Sequence, residues 1–227
     1  MLRLDLHCHT SYSKDCLLSP SRLLQACQRK GIDRVVITDH NTIAGALQAQ
    51  ELDPTRVIVG EEIMTTQGEL LAFYVHEELP AGLSPQDAIH RLRAQDAFVS
   101  VSHPFDRWRG GSWNTSDLLQ ILPLVDAIET FNSRCVSPSY NQEAQDFARQ
   151  HNLLGTVGSD AHTTFEIGKA TLLLAEFRDA VSLKAALPQA ESKVALSGPW
   201  MHLSSRYAVL YKILIRKRNL HHLNLDQ

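Results

Sequence analysis

Short apolar runs recur along this chain, and nearly every one stops at a histidine or an acid. Arg34-Val35-Val36-Ile37-Thr38 ends at Asp39-His40, and Val57-Ile58-Val59 ends at Gly60-Glu61-Glu62. Phe98–Ser102 ends at His103-Pro104, and Leu153–Val157 ends at Gly158-Ser159-Asp160-Ala161-His162. Leu2–Leu6 runs into His7, Glu69–Val75 is a further run, and Val125–Thr130 carries Glu129 near its end. Leu2–Leu6 alternates weakly, but the other runs are mainly apolar rather than alternating, which marks strands buried on both faces. Helices with start signals separate them. Ser19-Pro20 precedes Arg22–Lys30, Asn41-Thr42 precedes Ala44–Leu52, Ser84-Pro85-Gln86-Asp87 opens a helix ending near Gln95, and Ser137-Pro138 precedes Glu143–Gln150. This alternation predicts an α/β fold with a parallel sheet covered by helices.

The polar stops choose between an open and a closed sheet. An open sheet spreads its strand ends along an edge, whereas a barrel gathers them at one face. The sequence therefore favours a TIM-like barrel of about seven core strands, with Thr171–Leu174 as a peripheral strand. No GxGxxG follows the first strand and no Walker A loop is present, so nucleotide-cofactor and P-loop readings lose support. The barrel is expected over residues 1–200. Residues 201–227 form a helical extension, with apolar Tyr207–Ile215 leading to basic Arg216-Lys217-Arg218 and to His221-His222. Its expected place is against the outside of the barrel; contact with a membrane surface or nucleic acid is the alternative.

Composition removes other classes. At 44% hydrophobic, the chain can bury a sizeable core, which excludes a disordered chain. A net charge of −3 argues against a general nucleic-acid binder. No apolar run reaches membrane-spanning length, and MLRLDLHCHT turns polar too early for a signal peptide. Four cysteines without a CxxC pair suggest reduced thiols and a cytoplasmic protein.

Eleven histidines stand out, because several adjoin an acid or another histidine. In His7-Cys8-His9, alternate strand residues face one side, so both imidazoles can reach one ion. With Asp15, Asp39-His40, Glu62, His103 and Asp160-Ala161-His162, the set suits zinc, manganese or iron, and bridging carboxylates suit more than one ion.

DLHCHTSYSKD, ITDHN, GEEI, SHPFD and GSDAH resemble the five signature motifs of the polymerase and histidinol phosphatase (PHP) superfamily, in the family's order. The resemblance covers roughly Leu2 to Ala175 and implies a distorted (β/α)7 barrel with divalent ions, two or three in number, at the strand ends. It implies one ion on His7, His9, Glu62 and Asp160, with Glu62 bridging to a second. The second would also take His103 and a fourth-strand residue, and the third would take Asp15, His40 and His162. The family often has histidine on the fourth strand. Here Gly68-Glu69-Leu70-Leu71-Ala72 puts Glu69 there, a harder ligand that favours manganese or magnesium. Glu61 should face away from Glu62.

Substrate contacts are read from the loops. Lys14, Arg107 and Arg134 are expected to meet phosphate oxygens, with Arg109 in the same loop as Arg107, and Asn132 is a further contact. Trp108 and Trp113 either stack on a base or sugar or pack their loop. The expected reaction is hydrolysis of a small-molecule or nucleotide phosphomonoester by metal-bound hydroxide, releasing inorganic phosphate. Asp160, His162 and His103 are the expected catalytic residues, with Asp160 or a ligand histidine passing a proton to the leaving oxygen. An exonuclease acting on short oligonucleotides is the alternative, and a non-catalytic metal domain a less favoured one.

Overall fold

The structure is a computed structural model that describes residues 1–198 and 200–223, with side chains described as far as Ile215. In chain order the elements are β1 (Leu2–Cys8), α1 (Pro20–Arg29), β2 (Arg34–Ile37), α2 (Ala44–Leu52), β3 (Val57–Met64), β4 (Glu69–Phe73), α3 (Pro85–Arg93) and β5 (Phe98–Val101). Then follow α4 (Thr115–Ile121), β6 (Ala127–Asn132), α5 (Pro138–Gln150), β7 (Leu154–Gly158), β8 (Ala170–Leu174), α6 (Ala180–Ala186), β9 (Glu191–Val194) and α7 (Met201–Leu223). The strands are ordered β7-β6-β5-β4-β3-β2-β1-β8-β9.

The sheet curls into a nearly closed barrel because β1 is long enough to serve two neighbours. Its first half pairs antiparallel with β8, with Leu2 opposite Leu174. Its last residue bridges in parallel to Ala161, just past β7, and the His9 amide donates to the Ala161 carbonyl at 2.9 Å. Gly158 makes this approach possible, since a Cβ there would collide with the His7 Cβ.

The all-parallel expectation fails at β4, which runs antiparallel to both β3 and β5. Only residues 65–68 separate β3 from β4, and a parallel crossover needs a dozen or more. The reversal brings the start of β4, rather than its end, to the barrel face that holds the ends of β1, β2, β3, β5, β6 and β7. β8 and β9 are also antiparallel and lie outside the closure.

Alternation sorts the side chains. Ile58, Leu71, Phe73 and Phe98 fill the barrel interior with Leu4 and Leu6, and a second cluster lies under the helices. Glu62 shares the Ile58 side of β3, and Glu69 shares the Leu71 side of β4. A register shift in β1 between Asp5 and Cys8 resets its alternation, so that His7 and His9 join the interior side set by Leu6. Glu61 takes the opposite side and accepts from the Leu79 amide at 3.0 Å.

Asp126 ties β5 to β6. Its carboxylate accepts from the Val99 amide at 2.9 Å and from Arg93 and Lys184 at 2.5 and 2.7 Å. Burial alone would raise its pKa, but these partners hold it below the usual carboxylate value. A depressed pKa contributes stability above about pH 4 and loses it as pH falls through the folded value. Both cations are partly exposed and screened. Asp126→Asn is therefore expected to cost about 1–2 kcal/mol near neutrality, and less in acid. Denaturant titrations of both proteins at neutral and acidic pH measure the difference.

Candidate metal centre

The inner strand ends, the start of β4 and the β1–α1 loop bring nine side chains into one largely buried network. His7 Nε2 and His9 Nε2 lie 3.0 Å apart. Glu62 Oε2 is 3.3 Å from each of them, and Asp160 Oδ1 is 3.3 Å from His9 Nε2 and 3.7 Å from His7 Nε2. The other Glu62 oxygen, Oε1, lies 3.1 Å from His103 Nε2, which is 3.4 Å from Glu69 Oε2. His40 connects the parts: Nδ1 is 3.2 Å from Glu62 and 3.6 Å from Glu69, and Nε2 is 3.7 Å from Asp15. Asp15 Oδ2 in turn is 3.0 Å from His162 Nε2.

Neighbouring residues aim these imidazoles. His7 Nδ1 donates to Glu129 Oε1 at 3.0 Å, and His162 Nδ1 donates to the Asp160 carbonyl at 2.9 Å. Ser13 Oγ donates to Asp39 at 2.6 Å, so it accepts from His9 Nδ1 at 3.0 Å. In all three Nε2 is the nitrogen turned to the centre, the usual arrangement behind a metal-binding histidine. Asp160 has φ 52° and Asn41 has φ 54°, the left-handed region that Asp and Asn tolerate best among non-glycine residues.

The donors fit divalent cations. Metal–donor bonds of about 2.0–2.2 Å put donors around one ion roughly 3.0–3.5 Å apart. The three edges of His7–His9–Glu62 and the His9–Asp160 edge match that spacing, and His7–Asp160 is longer at 3.7 Å. The trios His9–His40–His162, His7–His9–Glu62 and His40–Glu62–Glu69 each offer atoms within 4.8 Å of one another. Asp15 Oδ1 and His103 Nδ1 are buried without a hydrogen-bond partner, and Asp15 Oδ1 is the atom turned toward His40.

Electrostatics point the same way. Burial lowers the pKa of His7 and His9, but the surrounding carboxylates outweigh it. Asp160, Glu62 and Glu129 leave His7 well above its ordinary value, and hydrogen bonds to Asp160 and Glu62 take His9 to about 9. Asp160 is pressed well below the carboxylate range despite its burial, by Arg109 and then His7. Burial, followed by Arg134 and His9, brings His162 down to about 3 and keeps it a neutral donor. Glu69 is raised by burial and by the charge of Glu62. This excess of negative charge calls for cations.

The polar residues expected to meet substrate are dispersed. Arg107 is 61% exposed and turned to Glu143 on α5 at 2.6 Å. Arg134 is buried, pairs with Glu166 at 3.2 Å and donates to Ser205 Oγ and the Met201 carbonyl of α7. Its direction is toward α7, because α7 packs over the loop that follows β6. Asn132 spends its amide on Asp160 and Glu129, each at 3.1 Å. Lys14 is exposed. Trp113 packs its loop, donating from Nε1 to the Glu69 carbonyl at 3.0 Å, while Trp108 is exposed.

Arg109 is the arginine at the centre. It bonds to Asp160 Oδ2, donates to Asn132 Oδ1 at 3.2 Å and pairs with Asp106 at 3.1 Å. Two residues from Arg107 in the same loop, it carries no distinguishing signal in sequence. Gly111 leaves room for this arrangement, since a Cβ there would strike the Glu69 carboxylate.

A PHP domain model matches residues 5–108, and a PHP-associated model matches residues 138–187. An uncharacterized protein of Methanocaldococcus jannaschii, MJ0417, is 36% identical over 77% of this chain and 71% of its own length. The chain belongs to the PHP family. Its fold is similar to that of a two-domain Bacteroides vulgatus protein described as containing a predicted PHP-like metal-dependent phosphoesterase. The TM-score is 0.70 at 20% identity, over 86% of this chain and 65% of the other, so this PHP chain spans a little less than two thirds of that protein. A Haemophilus influenzae 5′-3′ exoribonuclease is 33% identical over 40% of this chain and 36% of its own length. Among the described residues of this PHP protein, no helix is long and apolar enough to cross a membrane.

Proposed function

We propose that this PHP protein hydrolyses a phosphomonoester of a small molecule or nucleotide and releases inorganic phosphate. The observation that carries the reading is Arg109 set against a buried, carboxylate-rich cluster whose donor spacing suits divalent ions. About two or three cations, when bound, would polarise the phosphoryl group and activate water; manganese, zinc, iron and magnesium are the candidates. His7, His9, Glu62 and Asp160 would hold one. Glu62, His103 and Glu69 would hold another, and Asp15, His40 and His162 the third.

Arg109 spends two of its five N–H groups in hydrogen bonds and is 19% exposed, so it has donors left for a phosphoryl oxygen. His103 would return a proton to the departing oxygen, whereas His162, kept neutral by its burial, would serve as a ligand. Four buried free cysteines suit a reducing compartment, and we place the protein in the cytoplasm.

Arginine variants separate substrate binding from packing. Arg109→Ala is expected to lower kcat/KM by roughly 2–4 kcal/mol of transition-state stabilisation, as loss of an anion-binding donor does. Arg134→Ala is expected to destabilise the fold by about 3–5 kcal/mol, because it strands Glu166. Steady-state kinetics and denaturant unfolding on both variants check the contrast.

The exoribonuclease relative supports a second reading, removal of nucleotides from a short oligonucleotide end. A panel of nucleotides, bisphosphates, sugar phosphates, histidinol phosphate and short oligonucleotides decides between the two. Turnover of monoesters above oligonucleotides is expected; the reverse order favours the second.

A further inference from the structure

A cavity of about 250 Å³ opens from one flank of the cluster, with Asp15 and His162 in its wall. The rest of the wall is largely apolar and includes Leu17, Leu18, Phe165 and Tyr207. Phe165 is 79% exposed and Tyr207 62% exposed, so two large rings are left facing solvent beside the same opening. The volume exceeds the ~150 Å³ of a cavity that holds a benzene ring.

The wall contributed by α7 is tied to the site loops. Lys212 Nζ donates to the carbonyls of Ser11 and Ser13 in the β1–α1 loop, at 2.7 and 2.5 Å. His202 Nε2 donates to the Arg134 carbonyl at 2.9 Å, and Arg134 donates back to the Met201 carbonyl. These bonds fix Tyr207 and Ala208 over the loop that carries Asp15. The C-terminal helix therefore shapes the site and does not merely cover the barrel's outside.

We propose that this cavity receives the leaving group of the ester, and that it selects a planar, aryl-sized group held between Phe165 and Tyr207. The assignment rests on the phosphoesterase reading. Water adds its oxygen to phosphorus, the P–O bond to the alcohol breaks, and the alcohol departs with one of the water's protons. The alcohol then occupies the apolar wall while phosphate remains at the cluster.

The test compares benzyl phosphate with ethyl phosphate, whose alcohols are similar in acidity, on metal-loaded protein. Calorimetric binding of benzylphosphonate and ethylphosphonate runs in parallel and does not depend on turnover. Wild type is expected to favour the benzyl compounds about tenfold or more in both measurements, in line with one ring buried in an apolar site. Tyr207→Ala and Phe165→Ala should each narrow both ratios to about threefold or less, and Tyr207→Phe should keep them. Both rings are mostly exposed, so these variants should fold, as unchanged thermal unfolding would show. Equal treatment of benzyl and ethyl compounds by wild type overturns the assignment, as does a benzyl preference that survives both alanine changes. Ring-dependent binding of benzylphosphonate without hydrolysis of either ester supports the cavity and overturns the phosphoesterase reading instead.

Discussion

Asp160→Asn is expected to lower kcat/KM at least about a thousandfold, roughly 4 kcal/mol, while leaving the fold in place. Both carboxylate oxygens are committed. Oδ1 faces His7 and His9 in the centre, and Oδ2 is held by Arg109 and Asn132. The amide keeps the shape but removes the charge that a cation would neutralise. Asparagine also tolerates the φ of 52° at this position, whereas alanine would add backbone strain to the loss of charge. Kinetics with metal content on the same sample separate loss of cation from loss of chemistry. More than a tenth of wild-type kcat/KM would contradict the role given to Asp160.

Glu62→Gln is expected to have an effect at least as large, and to act first on metal content. The two oxygens of Glu62 together meet four histidines. Oε2 meets His7, His9 and His40, and Oε1 meets His103 and accepts from Ser102 Oγ at 2.7 Å. Burial opposes its charge, yet His7 and then His40 hold its pKa well below the usual range. A neutral amide offers one oxygen where two charged ones stood. Elemental analysis should then show at least one ion fewer per chain than wild type, with kcat/KM down about a thousandfold or more. Glu61→Gln is the control. Its carboxyl lies on the other side of β3, against the Leu79 amide, so metal content should hold.

Most of the candidate ligands were legible because spacing ties them to a strand. HxH, the DH after β2, the second acid after Gly60, the HP after β5 and the DAH after β7 sit within four residues of a strand end, whereas Asp15 lies seven past β1. A barrel fixes such positions whatever its loops do. Glu69 was legible for a different reason than the strand pattern suggests, since it reaches the centre from the start of an antiparallel strand. The register shift that turns His7 inward depends on pairing with β2, which one strand's sequence does not carry.

The arginines were not legible. Arg107 and Arg109 lie six and eight residues past β5, where loop conformation decides direction, and Arg134, two residues past β6, is turned by partners distant in sequence. Arg109 turns inward to Asp160 and Asp106, Arg107 outward to Glu143, and Arg134 to Glu166 and α7. The extension was foreseen as a helix, but its contacts with the β1–α1 loop join residues about 200 positions apart, which no local pattern encodes. The basic cluster Arg216-Lys217-Arg218 and His221-His222 lies outside the described side chains.

Removal and return of metal tests the central claim most directly. Protein stripped by a strong chelator and dialysed should release no phosphate from an aryl phosphate above the no-enzyme rate. Graded manganese should restore release, saturating at about two or three ions per chain by elemental analysis. Undiminished phosphate release by chelated protein holding less than one ion per chain would contradict the account, and so would failure of manganese, zinc, iron and magnesium alike to restore any release.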